Sequence, residues 1–182
     1  MASLSEITGI LGEHPGVDRV GTTTVHRDGQ ELTVAVVELS EYWSGPVLRD
    51  YVNQKAGTDA LAGVLAVASL PMVDGSVDVG YVEAAVADGR CALYIPPRDD
   101  VESRLAAIWA ELMELRSVGV HDDFLELGGD SLSALGIISA IEAEFDHSVD
   151  VYEFMNASCV RRLADLLRAD RSLPAQSASD PR

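Results

Sequence analysis

The sequence predicts two folded units: a small α+β unit with a helix, a β-hairpin and a small sheet, then an all-α bundle of four helices. Three observations support this fold class. Residues 1–88 contain β-branched runs typical of strands, and residues 100–170 contain apolar residues that recur at helical spacing. Residues 89–99 between them contain two prolines and a group of charges, the composition of a linker. We expect each unit to fold independently, since each has its own apolar periodicity.

The first unit begins with a helix and a hairpin. Residues 3–6, SLSE, form a capping-box pattern ahead of apolar residues at helical spacing, and residues 14–16, HPG, end the helix. Two β-branched runs at 17–27 and 31–39 flank Asp28-Gly29, a dipeptide favoured in the turn between antiparallel strands. The pattern predicts a β-hairpin.

A second helix and a buried strand complete the first unit. Pro46 begins an amphipathic stretch that continues to Val52. The run VLAVASL at 64–70 is typical of a buried strand, and residues 71–75 have turn composition.

Four apolar patterns predict the helices of the second unit. Apolar residues recur at helical spacing over 101–112 and over 132–145, with a long loop at 114–130 between them. A short apolar run at 151–155 and a last run over 160–167 predict the other two helices.

The composition disfavours several classes of partner. Thirteen Lys and Arg residues against thirty Asp and Glu residues give a net charge of −17, which repels nucleic acid and anionic membrane surfaces. We find no secretory signal and no apolar run of membrane-spanning length. Cys91 and Cys159 have no motif spacing, so we expect a cytoplasmic location and no metal site. The Ser-, Ala- and Pro-rich tail at 171–182 is expected to be disordered.

Ser131 lies directly behind Gly-Gly-Asp and directly ahead of an apolar helix, in the run DDFLELGGDSLSALGIISAIEAEF at 122–145. A catalytic serine needs a base, and the nearest histidines, His121 and His147, lie in no recognisable triad motif. The position instead suits an attached phosphodiester, because the free N–H groups and the dipole at a helix start favour an anion. The alternative is that Ser131 only caps the helix.

The same run, preceded by LAAIWAELMELRSVGV and followed by VYEFMNASCVRRLADLL, resembles a peptidyl carrier domain of nonribosomal peptide synthetases over residues 100–169. The resemblance implies that Ser131 receives 4′-phosphopantetheine from a phosphopantetheinyl transferase and then carries acyl groups as thioesters. It also implies that Gly129, Asp130 and Leu132 take part in recognition by the transferase. The chain would then be a carrier and not an enzyme.

The resemblance also implies that partner domains dock on the helix after this serine and on the short helix that follows. Ser133 and Ile137 are the better candidates for such contacts. Leu132 and Phe154 are further candidates, although they, like Ile138, are alternatively core residues.

The first unit resembles, over residues 3–83, the small C-terminal subdomain of adenylation enzymes. The resemblance rests on ITGILGEHPGVDRV, the hairpin, VLRDYVNQKAG and LAVASLPMVDGSVDV. In that family an Asn-Gly-Lys stretch supplies a lysine that contacts the substrates, but here Ser76 follows Gly75. A serine hydroxyl does not replace a fixed cation, and Lys55, the only lysine of the chain, lies in a different stretch. The resemblance implies a subdomain that does not activate an acid.

A subdomain without this lysine, directly before a carrier, resembles the pseudo-subdomain of depsipeptide synthetase modules that contain a ketoreductase. In such modules an α-keto acid on the carrier is reduced to an α-hydroxy acid, and the partners are adenylation, ketoreductase and condensation domains. Two alternatives stay open: an amino-acid carrier with a decayed adenylation subdomain that is loaded in trans, and a docking protein that is never modified.

Overall fold

The computed structural model describes residues 2–27 and 29–171 of the chain. Its first half mixes helices with a small sheet and its second half is helical, which confirms the predicted fold class at this level. Within these ranges, no helix has the length and apolar character needed to cross a membrane. The predicted disorder of the tail falls outside the described residues, apart from Arg171, which ends the last helix.

The first half is built on a three-stranded sheet. Its elements are α1 (Leu4–Gly12), β1 (Val17–Arg27), β2 (Gln30–Leu39), α2 (Gly45–Ala56), β3 (Gly63–Ala66), β4 (Met72–Val73), β5 (Ser76–Val77) and α3 (Val79–Ala87). Strand β2 lies at the centre of the sheet, antiparallel to β1 and parallel to β3. Strands β4 and β5 form a separate small hairpin.

The predicted β-hairpin is confirmed. Strands β1 and β2 pair in antiparallel register out to Arg27 and Gln30, which leaves a two-residue turn. Gly29 in this turn has a φ of 77°, a conformation that glycine adopts without a steric penalty. Asp28, the other predicted turn residue, lies outside the described residues.

Alternation along β2 fills both faces of the sheet. Val34 and Val36 pack in the cluster that includes α3, whereas Ala35 and Val37 pack in the cluster that includes α1 and α2. All four side chains are fully buried. Because successive side chains of a strand point to opposite faces, a strand covered on both faces is apolar without interruption.

Two features of the first half differ from the prediction. The strand predicted at 64–70 ends at Ala66, and beyond it the Leu70 N–H donates a hydrogen bond to the Glu38 carboxylate, 2.7 Å away, instead of continuing the ladder. Helix α3 was not predicted. Its start is marked by Asp78, whose carboxylate accepts a hydrogen bond from the Tyr81 N–H at 3.1 Å.

The second half contains α4 (Asp100–Leu112), α5 (Ser131–Phe145), α6 (Val151–Ala157) and α7 (Val160–Arg171). Three buried aromatic rings, Trp109, Phe124 and Phe154, form the centre of its core, with centroids 5.0–5.6 Å apart. The two contacts of Phe124 are edge-to-face, an arrangement that stabilises a core beyond simple area burial. Phe124 comes from the loop between α4 and α5, so that loop is anchored in the core.

Residues 89–99, predicted as a linker, bind to both halves of the chain. The Tyr94 N–H donates a hydrogen bond to the Ala62 carbonyl at 2.7 Å, and the Ile95 carbonyl accepts one from the Val120 N–H at 2.9 Å. The domain boundaries stay a prediction, but this segment is packed against the structure on both sides.

Candidate functional site

Ser131 is the first residue of α5, and it is exposed. The cap of this helix is Asp130, whose carboxylate accepts a hydrogen bond from the Ser133 N–H at 2.8 Å. In return, the Ser133 hydroxyl oxygen accepts one from the Asp130 N–H at 2.8 Å, which completes a capping box. The alternative that Ser131 is the cap is therefore wrong, because its neighbour performs that role.

The hydroxyl of Ser131 is presented to solvent at the positive end of a helix dipole. The side-chain hydrogen bonds at this helix start join Asp130 with Ser133 and do not include the Ser131 hydroxyl. An exposed hydroxyl at the positive end of a helix dipole accommodates an anionic substituent. The residues present therefore fit a phosphodiester at this position.

The glycine pair before the cap has two separate structural roles. Gly128 has a φ of 87°, in the left-handed region where a side chain is strained. Gly129 allows close packing, because a Cβ placed there would lie 2.4 Å from the ring of Phe124. A side chain at position 129 would therefore displace an aromatic ring of the core.

The backbone around Phe124 ties this loop to the end of α6. The Phe124 N–H donates a hydrogen bond to the Ser158 carbonyl at 2.8 Å, and the Phe124 carbonyl accepts one from the Gly129 N–H at 2.9 Å. Ser131 thus follows a loop that is held by backbone hydrogen bonds and by an aromatic side chain.

An open, largely apolar cleft of about 470 Å³ lies beside Ser131, between α5 and α6. It is lined by Phe124, Leu125, Asp130, Ser131, Ala134, Leu135, Val151 and Met155. Room next to the hydroxyl allows a long substituent to leave the helix start without a clash. This second feature also fits an attached arm.

The structure separates the candidate contact residues into exposed and buried sets. Leu132 is 79% exposed, so it is available for contact and is not a core residue. Ser133 is partly buried, and its hydroxyl is occupied in the capping box. Ile138 packs partly buried against the core.

The predictions for Ile137 and Phe154 are corrected. Both side chains are 0% exposed and belong to the core of the second half, so neither can contact a partner in this conformation. Ile137 lies one turn after Ala134 and one turn before Ile141, on the face of α5 that packs inward.

Sequence reasoning missed several exposed apolar side chains near Ser131. They are Leu125, Leu135, Val151, Tyr152 and Met155. A signal for Leu135 existed, because it lies three residues after the candidate Leu132, and residues at that spacing share a helix face. Together with Leu132 they form an apolar surface around the attachment candidate, of the kind that marks interaction sites.

Ser76, the position of the missing lysine, lies in the small β4–β5 hairpin and is exposed. The turn before it consists of Asp74 and Gly75, with φ values of 50° and 81°. Positive φ at both central positions is typical of a tight two-residue turn. Ser76 pairs with Val73 directly across this turn, so its position is set by the hairpin register.

The charge on Asp130 makes the helix cap sensitive to acid. The Ser133 N–H, which donates to the carboxylate, lowers the pKa of Asp130 below its ordinary value. A lowered pKa contributes stability above the ordinary value, and this contribution is lost as the pH falls through the folded-state value. We therefore expect wild type to be more stable than Asp130→Asn near neutrality, with a difference that vanishes on acidification.

Denaturant unfolding of both proteins between about pH 2 and pH 6 measures this difference. Asparagine is the matched replacement because it also caps helices but carries no charge. A stability difference that does not change with pH would contradict an ionised cap.

Comparison with known proteins agrees with this geometry. Residues 103–167 match the protein family described as "phosphopantetheine attachment site". The chain is 28% identical over 172 residues to N-(5-amino-5-carboxypentanoyl)-L-cysteinyl-D-valine synthase of Amycolatopsis lactamdurans. This match covers 91% of this chain and 5% of that protein. It is also 30% identical over 173 residues to tyrocidine synthase 3 of Brevibacillus parabrevis, in a match that covers 92% of this chain and 3% of that protein.

Among solved structures, a complex of a phosphopantetheine transferase with coenzyme A and a peptidyl carrier protein is similar, at 25% identity and a TM-score of 0.41. The match covers 42% of this chain and 99% of that chain. The chain spans only 5% and 3% of the two synthases it matches. Residues 103–167 are therefore a phosphopantetheine-attachment domain, the region to which 4′-phosphopantetheine is attached, within a chain that is similar to parts of two much longer synthases.

Proposed function

We propose that the chain is the carrier part of a nonribosomal peptide or depsipeptide synthetase and that Ser131 is the residue to which 4′-phosphopantetheine is attached. The observation that carries this proposal is the place of Ser131, exposed at the first position of α5 and inside the matched range 103–167. When attached, the arm supplies a terminal thiol that holds an acyl group as a thioester. The protein's own contribution is an accessible hydroxyl on an anchored loop.

The cysteines of the chain are poorly suited to hold the acyl group themselves. Cys91 and Cys159 are both buried. Burial raises the pKa of the Cys91 thiol to about 11, so it stays protonated near neutral pH. The thiolate is the nucleophilic form of a thiol. A thiol outside the core is therefore better suited to hold the acyl group.

The apolar surface around Ser131 is proposed as the region where the transferase and the partner domains dock. Leu132 of α5 and Tyr152 of α6 are 79% and 77% exposed, and each follows directly after a residue that lines the cleft. Exposed apolar side chains next to a reactive position are the usual contact residues of transient interfaces. The proposed partners are a phosphopantetheinyl transferase and the adenylation, ketoreductase and condensation domains of a synthetase.

The first half is proposed as a non-catalytic scaffold in a module that handles an α-keto acid. Its sheet is packed on both faces, so its fold is complete, while Ser76 occupies the position where the resemblance expects a lysine. A domain that stays packed but lacks its catalytic cation is more consistent with a structural role than with a catalytic one. In this proposal a ketoreductase of the same module converts the α-keto acid to an α-hydroxy acid on the carrier.

Two measurements test these proposals separately. Intact mass after incubation with a phosphopantetheinyl transferase and coenzyme A tests attachment, and an unmodified chain would favour the docking-protein alternative. For the acyl group, the synthetase that contains this chain is incubated with an α-keto acid, ATP and a reduced nicotinamide cofactor. Mass analysis of the peptide that contains Ser131 should then show an α-hydroxy acyl group. An amino acyl group on that peptide, supplied by a separate enzyme, would favour loading in trans.

Restoring the lysine alone is expected to recover no adenylation. A cation must be placed within about 1 Å of its working position, since such a displacement costs on the order of 100-fold in rate. Position 76 directly follows a tight turn whose length is set by Asp74 and Gly75. We therefore expect the Ser76→Lys chain, mixed with a large adenylation subdomain, to form no acyl adenylate above the level of the unaltered chain in a pyrophosphate-exchange assay. Clear recovery would favour a decayed adenylation subdomain.

A further inference from the structure

A buried ion pair joins the first half of the chain to the loop that precedes Ser131. Arg49 of α2 donates two hydrogen bonds to the carboxylate of Asp122, with Nη1–Oδ1 and Nη2–Oδ2 distances of 3.1 and 2.5 Å. The two side chains are 1% and 2% exposed. The guanidinium also lies 5.3 Å from the ring centroid of Tyr94. A bidentate ion pair that is shielded from water fixes both the distance and the relative orientation of the two side chains.

Asp122 transmits this restraint to the backbone of the loop. Its Oδ2 atom also accepts a hydrogen bond from the Gly119 N–H at 2.6 Å. Two residues further on, Phe124 enters the aromatic core and contacts Gly129. The ion pair therefore lies at one end of a continuous set of contacts, and Ser131 lies at the other.

Further contacts hold the loop on both sides of this pair. The Arg116 N–H donates a hydrogen bond to Asp50 at 2.8 Å, and the Arg116 guanidinium donates one to Asp59 at 2.9 Å. Closer to Ser131, the Ser44 hydroxyl donates a hydrogen bond to the Glu126 carbonyl. The first half thus binds the loop close to its start, at its middle and close to its end.

We propose that Arg49 is a positioning residue for Ser131 and that the first half and the carrier half move as one rigid body. Separating the halves would break this bidentate pair together with the Arg116 and Ser44 hydrogen bonds to the loop, so several directional contacts oppose relative motion of the halves. The direction in which the Ser131 hydroxyl points is then set by the first half, and partner domains must approach this fixed arrangement. The kinetic part of the test rests on the proposed attachment at Ser131, whereas the distance part does not.

Distances between the two halves test the rigid body directly. Spin labels are placed in the full chain at Asp18→Cys and Ser139→Cys, which are exposed positions in β1 and α5, while the two native cysteines are buried. Pulsed electron paramagnetic resonance should give one narrow distance distribution for this labelled protein. The same labels with Arg49→Met should give a broad distribution. A broad distribution in the labelled protein that has no further substitution would overturn the proposal.

Loading kinetics test the positioning role. With a phosphopantetheinyl transferase and coenzyme A, Arg49→Met should lower kcat/KM for modification on the order of tenfold, since small displacements of a reacting group carry large rate penalties. The control is Arg19→Met, which removes an exposed arginine that pairs with Glu38 inside the first half. Equal rates for wild type and Arg49→Met would overturn the positioning role. A wild type that is never modified would instead overturn the attachment at Ser131.

A double variant separates positioning from stability. Arg49→Met with Asp122→Asn removes the unpaired buried charge and keeps an acceptor for the Gly119 N–H. We expect its Tm to return toward that of wild type while its distance distribution stays broad. Recovery of both would mean that Arg49 acts only on stability and would overturn the positioning role.

A surface variant covers the case in which Arg49→Met does not fold. Arg116 lies at the edge of the same interface with a 37% exposed side chain, so Arg116→Met is expected to fold. It should broaden the distance distribution by removing the contacts to Asp59 and Gly57. A distribution as narrow as that of the protein with Arg116 would overturn the role of the Arg116 side chain in restraining the two halves.

Discussion

Ser131→Ala is expected to abolish attachment of 4′-phosphopantetheine while leaving the fold intact. The hydroxyl is exposed and takes no part in the capping box, so its loss removes no structural hydrogen bond at the helix start. Alanine also has the highest helix propensity, so we expect α5 to tolerate it at its first position. Intact mass after incubation with transferase and coenzyme A should show full modification of wild type and none of the variant, with matching circular dichroism spectra.

Ser139→Ala is the matched control for this experiment. Ser139 is exposed on the same helix, two turns after Ser131, and has the same hydroxyl chemistry. We expect this variant to be modified as completely as wild type. Modification of Ser131→Ala, or its loss in Ser139→Ala, would remove the assignment of the attachment residue.

Gly129→Ala is expected to destabilise the second half by about 1–3 kcal/mol, the usual range for overpacking a core. The new methyl group would lie 2.4 Å from the ring of Phe124, which itself packs against Trp109 and Phe154. The loop must therefore move, and it ends at Ser131. We expect a lower Tm in thermal unfolding and slower loading by the transferase.

Gly136→Ala provides the contrast within the same domain. Gly136 lies inside α5, and the nearest atoms to an added Cβ belong to Leu112 at 3.8 Å, an ordinary contact. Replacing glycine by alanine inside a helix is favourable by roughly 0.5–1 kcal/mol, so the Tm should stay the same or rise. If both glycine variants changed the Tm equally, close packing on Phe124 would not be the reason for Gly129.

Local chemistry was sufficient to predict the elements that carry their own signals. The β1–β2 hairpin follows from β-branched runs around a glycine turn, and α1 follows from Ser3, whose hydroxyl accepts a hydrogen bond from the Glu6 N–H. Helix α3 was not predicted although Asp78 marks its start, because no structure was assigned to the short run after it.

The surface of the site was harder to predict, because α5 is apolar on more than one face. Leu132 and Ile137 are both large and apolar, yet one is 79% exposed and the other fully buried. Periodicity assigns residues to faces of a helix, but it does not show which face packs inward when both are apolar. Packing against Trp109 and Phe154 decides this, and that packing is visible only in the folded chain.

The sequence by itself determined that the chain has a mixed first half and a helical second half, and that a serine follows Gly-Gly-Asp at a helix start. These features depend on neighbours within a few residues, where backbone preferences and capping act. Only the tertiary structure decided that Arg49 binds Asp122, 73 residues away, and that residues 89–99 pack against both halves. An arginine and an aspartate carry no local sign of their partner, because a buried ion pair forms only when the surrounding fold brings both groups out of water.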